Sequence, residues 1–458
     1  MATNRIGRPQ KQAKDEDEEK AFQRNEFATK NPAADPRRMR RIIAEDPEWS
    51  LATVPDLLDI CIMHIVGNFQ DNPLLDELKP KHKKKVLEML STKLPLKVTA
   101  PLIEDEGFWQ RSCKSRWEVC DVSNHGNSWK RMFFERNLQG LIENFVPEAT
   151  DPKELNETLM VSSKFIKCLR IQQLLLPIND GTSNEDDASD TTSEVGGGGP
   201  SCNHIDFGIV FRVLPKLEEI HITYGVKNCG MNFDWSLFKF TEQDCSLLAK
   251  AVKSCRSLTV FHLHRSNVTD EKSRTLISHF LEHPCLETLD LSHNKIGDGG
   301  ARALGKLLVS KCRLKSLNVA NNQIGSHGGG AIGHALQKNS KLLSLNLRLN
   351  RLSDEGGFGI LKALLKNATL TTLHLGSNEL GELSAQAMNE VALQNSTLTS
   401  IDLTSNPFGD TGGRLLHEGL EENTTIVNMD LRQTNVGEEN EYCISQILKR
   451  NQNKAAGW

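Results

Sequence analysis

Between Leu258 and Val436 apolar residues recur at offsets 0, 3, 5 and 10 from a series of starts, with a polar residue, usually Asn, at offset 8. The starts are Leu258, Leu286, Leu314, Leu342, Leu370, Leu398 and Ile426, so all six steps are 28 residues. Offsets 3 and 5, as in Leu289 and Leu291 or Leu345 and Leu347, put two side chains on one face of a short strand, and offset 4 turns to the other. Offsets 18 and 22 hold Leu304 and Leu308, Ile332 and Leu336, Ile360 and Leu364, Met388 and Ala392, and Leu416 and Leu420. That spacing of four marks one helix face. Gly300, Gly328, Gly356, Ser384 and Gly412 keep each helix start small enough to approach the sheet.

The residues at offset 8, Asn294, Asn322, Asn350, Asn378 and Asn406, stand where the chain leaves the strand. There an amide side chain can bond turn backbone that has no ladder partner, and an unpaired buried amide costs ~1–3 kcal/mol. One repeat alone leaves both faces open, and stacking closes them. The pattern therefore predicts an α/β leucine-rich-repeat solenoid of the ribonuclease-inhibitor-like, 28-residue kind, with a parallel sheet on its concave side and helices outside. The regular repeats occupy 258–437, and 438–458 reads as a closing helical cap and tail, with Tyr442, Ile444, Ile447 and Leu448 inward.

Upstream the frame loosens. Ile171-Leu174-Leu176-Asn179 and Leu217-Ile220-Ile222 make two irregular repeats over 168–257, each enlarged by an insertion. The first, 180–200, has six acidic residues, no basic one and four consecutive glycines, a composition that buries too little to fold. The second, 223–240, gathers Tyr224, Phe233, Trp235, Phe238 and Phe240. From 49 to 167 the period is helical: Leu57, Leu58, Cys61, Ile62, Ile65 and Val66 form one face, Val86, Leu87 and Leu90 another, Leu138, Leu141, Ile142 and Phe145 a third. This predicts an all-helical N-terminal domain that also caps the solenoid, preceded by a largely disordered charged arm over 1–48.

A net charge of −4 over 458 residues implies neither nucleic acid nor a membrane surface as partner. With no signal-peptide core and no run of about 18 apolar residues, the chain is expected to be soluble and intracellular. Its 11 scattered cysteines fit reduced thiols better than a disulfide framework. Cys113, Cys120 and His125 match no standard zinc spacing, so no metal or cofactor is expected.

Candidate functional residues fall in three groups. Aromatics as dense as Tyr224, Phe233, Trp235 and Phe238 either plug the protein's own surface or form a partner hot spot. The basic cluster Arg37, Arg38, Arg40 and Arg41 would grip a polyanionic surface or form the solvated face of a short helix. On the concave face, offsets 4 and 6 supply Asp290, Arg348, Asp402, Asp430 and Arg432 as partner contacts, beside His262, His264 and His374. His262 beside Asp290 and His374 beside Asp402 are juxtaposed on adjacent strands, yet an open sheet offers no aligned nucleophile or metal in a water-excluded pocket. No catalytic residue is expected.

Three motifs outside the repeat consensus carry a specific resemblance: Asp35-Pro-Arg-Arg-Met-Arg-Arg-Ile-Ile-Ala-Glu-Asp-Pro-Glu-Trp-Ser50, Trp129-Lys-Arg-Met-Phe-Phe-Glu-Arg136 and Cys229-Gly-Met-Asn-Phe-Asp-Trp235. Together they closely resemble the t-complex-associated testis-expressed leucine-rich-repeat family, the fifth subunits of the nexin–dynein regulatory complex, over about residues 35–450. The chain departs from that family's pattern in its short C-terminus and in its acidic insertion. The resemblance implies a structural subunit of the link between outer doublet microtubules in the axoneme of cilia and flagella, restraining dynein-driven sliding. Its partners would be coiled-coil and leucine-rich-repeat subunits of the complex and, indirectly, doublet microtubules and inner-arm dynein. Two other classes share features. Leu78 to Trp117 loosely resembles an F-box, which before leucine-rich repeats would make a ubiquitin-ligase substrate receptor. The 28-residue repeats also resemble those of the Ran GTPase activator, for which Arg265, Arg348 or Arg351 would have to assist hydrolysis.

Overall fold

The computed structural model describes residues 40–41, 53–54, 56–176, 204–232 and 234–457. The acidic insertion 180–200, most of the charged arm with Arg37 and Arg38, and Phe233 lie outside the described residues. Two compact units divide the chain, 1–118 and 119–458. The boundary falls inside the helical domain expected over 49–167, and its helices are shared between the two bodies.

In the first body β1 (Arg40–Arg41) pairs antiparallel with β2 (Thr53–Val54), so these two arginines lie on a strand and not on the short helix considered above. Helices α1 (Leu57–Gly67), α2 (Pro80–Met89), α3 (Leu96–Leu102) and α4 (Glu106–Lys114) follow. Their core holds Ile62, Val66, Val86, Leu87, Leu90, Phe108 and Trp109. The Trp109 indole donates to the Ile103 carbonyl at 2.9 Å, and Asp105 caps α4 by accepting from the Phe108 amide at 2.7 Å. The face expected on α1 is only partly inward: Ile62 and Val66 are buried, whereas Leu57, Leu58 and Cys61 are exposed.

In the second body a short 3₁₀ turn (Ser123–His125) is followed by α5 (Trp129–Glu143) and α6 (Pro152–Ser162). Its strands are β3 (Cys168–Ile171), β4 (Glu219–Ile222), β5 (Val260–Leu263), β6 (Thr288–Asp290), β7 (Ser316–Asn318), β8 (Ser344–Asn346), β9 (Thr372–His374), β10 (Ser400–Asp402) and β11 (Asn428–Asp430). All nine described strands lie parallel in one sheet in chain order. Between them run α7 (Phe207–Val213), α8 (Glu242–Ser254), α9 (Asp270–Phe280), α10 (Asp298–Val309), α11 (Ser326–Leu336), α12 (Ser353–Leu364), α13 (Glu382–Gln394) and α14 (Gly409–Leu420), and α15 (Glu438–Ala455) closes the array. The apolar positions at offsets 3, 5, 18 and 22 are buried throughout, which is the core of a leucine-rich-repeat solenoid.

Three hydrogen-bond ladders run between successive repeats, the second and third with gaps at Lys311 and Ser326. The first uses the Asn at offset 8. Asn294 Oδ1 accepts from the amides of Ser266 and Val268 at 2.9 and 3.1 Å, and its Nδ2 donates to the carbonyls of Leu263 and Leu291 at 2.8 and 2.9 Å. The second stands at offset 25, where Asn339, Asn367, Asn395 and Asn423 donate to the carbonyls of Leu308, Leu336, Leu364 and Ala392 at 2.7–2.8 Å. Two repeats earlier His283 takes that place, accepting from the Leu286 amide at 3.0 Å and reaching the Cys255 carbonyl at 3.1 Å, and Lys311 stands between. The third ladder caps helices across the repeat boundary. Helices α10 and α11 have no side-chain cap of their own. Instead Asp270 accepts from the amides of Gly297, Gly299 and Gly300, and Asp298 from those of Gly325 and Gly328. A Cβ at Gly300 would stand 2.5 Å from both Ile296 Cγ2 and Ser273 Oγ.

Both ends of the sheet are closed by side chains standing in for a missing strand. Buried Glu135 on α5 accepts from the Lys167 and Cys168 amides at 2.9 and 2.8 Å, and Glu143 from the Gln172 amide at 2.8 Å. At the far end Asn451 and Gln452 on α15 donate to the carbonyls of Ile426 and Val427. No described helix is long and apolar enough to cross a membrane.

Offset 7 is left-handed in every regular repeat: Arg265, His293, Asn321, Leu349, Ser377, Ser405 and Gln433 have φ between 46° and 60°. Leu349 is the poorest fit, a half-exposed leucine in a conformation that costs L-residues other than Asn and Asp ~1–2 kcal/mol. Leu349→Asn should therefore stabilise the protein by about 0.5–1 kcal/mol. An unchanged or lowered urea midpoint would count against this.

Candidate functional site

The face of the sheet away from the helices carries offset 4 of each repeat. Register aligns His221, His262, Asp290, Asn318, Asn346, His374, Asp402 and Asp430 in a single row. Offsets 3 and 5 are held in the core, so this row and the flanking offset-2 and offset-6 residues face outward.

The structure rearranges the expected pairs. Asp290 is 8% exposed and spent on its own face. It accepts from the Ser292 amide at 2.8 Å and from Asn318 Nδ2 at 2.7 Å, and its closest histidine is His264 at 3.5 Å, not His262. His374 and Asp402 do meet, at 3.7 Å. Asp402 also accepts from the Thr404 amide and hydroxyl at 3.0 and 2.7 Å and lies 4.0 Å from Arg348 Nε. Burial alone would raise the Asp402 carboxyl, but His374, Thr404 and Arg348 outweigh it and hold the pKa well below the usual carboxylate range. Asp430 and Arg432 form a bidentate pair at 2.6–3.2 Å in solvent.

That balance gives a pH prediction. A carboxyl whose folded pKa is depressed stabilises the fold above its unfolded value of about 4, and the gain is lost as pH falls further. Asp402→Asn should cost about 1 kcal/mol at pH 7, and the gap to the parent should close between pH 5 and pH 2. A gap independent of pH, followed by denaturant melts across that range, would contradict the linkage.

The aromatic insertion is largely turned inward. Tyr224 is 1% exposed, with its ring 4.2 Å from that of buried Phe240 and 5.0 Å edge-on to that of His204. Its burial removes it from the partner-binding set and makes it a plug in the core. Phe238 is half-buried against Gly225, where a Cβ would meet its ring at 2.5 Å, and its carbonyl accepts from Asn267 Nδ2 at 3.0 Å. Trp235 lies in a short 3₁₀ turn, Trp235–Phe238.

The ten described cysteines are all free thiols. His125 Nδ1 is engaged by Glu135 Oε2 at 2.6 Å. A histidine cluster lies on the sheet. His221 on β4, His262 on β5 and His264 just past the end of β5 bring one nitrogen each within 4.8 Å of one another. Burial and the charge of His221 lower the His262 pKa to about 4, and burial lowers that of His264. His221 Nε2 lies 2.6 Å from Glu219 Oε1, and Arg170 grips the same carboxylate at 3.1 Å. Those contacts hold the Glu219 pKa at about 2, the His221 bond contributing most. His221 sits at offset 4 of the irregular repeat starting at Leu217, so extending the face one repeat upstream would have found it.

Stacked parallel strands, outer helices and offset-8 amides define the fold class, a leucine-rich-repeat solenoid. A family model described as Leucine Rich repeat matches residues 282–305, 311–333, 338–361, 366–388 and 394–416. Curated relatives bear out the resemblance to dynein regulatory complex subunit 5 over about 60% of the chain. The chain is 49% identical over 279 residues to dynein regulatory complex subunit 5 of Macaca fascicularis, covering 61% of this chain and 56% of that one. It is 51% identical to the Mus musculus protein of that name, covering 59% of this chain and 54% of that one. For the Chlamydomonas reinhardtii protein the identity is 34%, over 48% of this chain and 50% of that one. The matched stretch thus spans about half the length of these relatives. Among solved structures, an internalin from Listeria monocytogenes aligns at 17% identity and a TM-score of 0.32, covering 53% of this chain and 68% of that one.

Proposed function

We propose that the chain is a non-enzymatic structural subunit of a dynein regulatory complex, part of the nexin link that joins doublet microtubules and restrains dynein-driven sliding in cilia and flagella. The observation that carries this reading is the 49–51% identity, over about 60% of the chain, to mammalian proteins named dynein regulatory complex subunit 5. The sheet face suits a docking role: a row of polar and charged side chains, most already fixed by neighbours, gives a partner a preorganised surface. Arg348 and Arg432, both exposed, with Asp402 and Asp430 beside them, are its charged handles toward coiled-coil or leucine-rich-repeat subunits. The test is fractionation. The tagged protein, expressed in a cell with motile cilia, should stay with detergent-extracted axonemes and be lost from them when other subunits of the complex are deleted. Release into the soluble fraction would overturn the reading and turn attention to an F-box-like receptor, checked by binding to a ubiquitin-ligase adaptor.

A further inference from the structure

The three-histidine cluster has features that a docking ladder does not require. His264 Nε2 and His262 Nδ1 face each other at 3.4 Å. Two nitrogens held by one tetrahedral ion at about 2.0–2.1 Å stand about 3.3–3.4 Å apart, so this pair already has the needed bite. The third ring lies alongside, the centroids of His221 and His262 being 4.0 Å apart. On each outer ring the nitrogen turned away from the cluster is already engaged. Glu219, backed by Arg170, holds Nε2 of His221, and Ser292 Oγ lies 3.0 Å from Nδ1 of His264. Carboxylate and hydroxyl partners of this kind fix tautomer and ring orientation in metal-binding histidines. The central ring is uncommitted to the rest of the protein: beyond the Nδ1 contact with His264, its Nε2 is buried with no hydrogen-bond partner.

We propose that His221, His262 and His264 bind one divalent transition-metal ion of the zinc class, with a fourth position open on the sheet face. Imidazole donors suit zinc, nickel, cobalt and copper, whereas calcium and magnesium demand oxygen ligands. The site lies at the junction of the irregular and regular repeats, where an ion joins β4 to β5 through side chains. It is independent of the ciliary reading.

Cobalt(II) is the probe. Tag-free full-length protein, stripped with chelator, is titrated with cobalt(II) and followed by the visible absorption of tetrahedral cobalt. Saturation is expected at one equivalent, with displacement by zinc(II). His221→Ala, His262→Ala and His264→Ala should each weaken binding at least tenfold. Glu219→Gln should weaken it 10–100-fold by freeing the His221 ring, and His374→Ala, at the same offset but outside the cluster, should leave it unchanged. X-ray absorption of the cobalt-loaded parent should show nitrogen and oxygen ligands only, a readout that does not depend on any variant folding. Absence of saturable binding, affinity indifferent to the histidine substitutions, or sulfur in the coordination shell would each overturn the site.

Discussion

Asn406→Ala should lower the free energy of unfolding by roughly 3–4 kcal/mol, among the largest single-residue effects in the array. Asn406 is fully buried. Its Oδ1 accepts from the amides of Asn378 and Leu380, both at 3.0 Å, and its Nδ2 donates to the carbonyls of Leu403, Leu375 and Thr404 at 2.8, 3.1 and 3.2 Å. Alanine leaves two buried amides without an acceptor, each at ~1–3 kcal/mol, in a turn that excludes water. The Asn378 amide belongs to the next rung of the same ladder, so the loss passes to a neighbouring repeat. Asn350→Ala should cost less, ~1–3 kcal/mol, because Asn350 Oδ1 accepts from the Ile324 amide alone. Urea midpoints give the ranking, and hydrogen exchange at Asn378 and Leu380 gives the location. Equal midpoints for parent and Asn406→Ala, or protection unchanged at those amides, would remove the ladder from the account of stability.

Legibility from sequence follows the physics of each interaction. Burial is periodic, so Leu289 and Leu291, or Leu304 and Leu308, announced the strand and helix faces without knowledge of their partners. The offset-8 ladder was equally visible because one residue type repeats at one step. Less visible were interactions whose partners are backbone amides of another repeat. Asp270 and Asp298 recur at the same step, but an acidic residue beginning a helix reads as a cap for its own helix, whereas here it caps the following one. The ladder at offset 25 was hidden by its start, because His283 and Lys311, not Asn, occupy the first two positions. Two glutamates closing an edge strand have no periodicity at all: Glu135 and Glu143 sit on α5 and meet β3 only in three dimensions. For the aromatic insertion, density signalled importance but not direction. Tyr224 lies just beyond the buried end of β4, in contact with Phe240, and this settles its side inward. The histidine cluster needed the outward face extended from the regular array into the irregular repeat starting at Leu217, where His221 takes offset 4.

Gly333→Ala and Gly330→Ala, in the same helix α11, should change stability in opposite directions. Replacing glycine by alanine inside a helix normally gains ~0.5–1 kcal/mol of propensity. At Gly330 a Cβ meets nothing within 4 Å, so the gain is realised in full. At Gly333 the Cβ would stand 2.6 Å from the Gly359 carbonyl oxygen, 3.0 Å from its carbon and 3.3 Å from the Ile360 nitrogen. These are backbone atoms of α12, which cannot rotate aside as a flexible side chain can, so the whole helix must move. Overpacking of this kind costs ~1–3 kcal/mol, and a backbone obstacle puts it at the upper end. After the propensity gain is subtracted, the net loss at Gly333 is about 2 kcal/mol. Because α12 carries the next repeat, its displacement also strains the stacking of β8 on β9, and the variant should lose cooperativity as well as midpoint. Gly305 stands at the same offset one repeat earlier, where a Cβ would lie 3.2 Å from the Ala331 carbonyl oxygen, so Gly305→Ala should fall between the other two. Parallel urea melts of the three variants decide the matter: a stabilising Gly333→Ala would mean that these helices pack more loosely than a direct backbone contact allows.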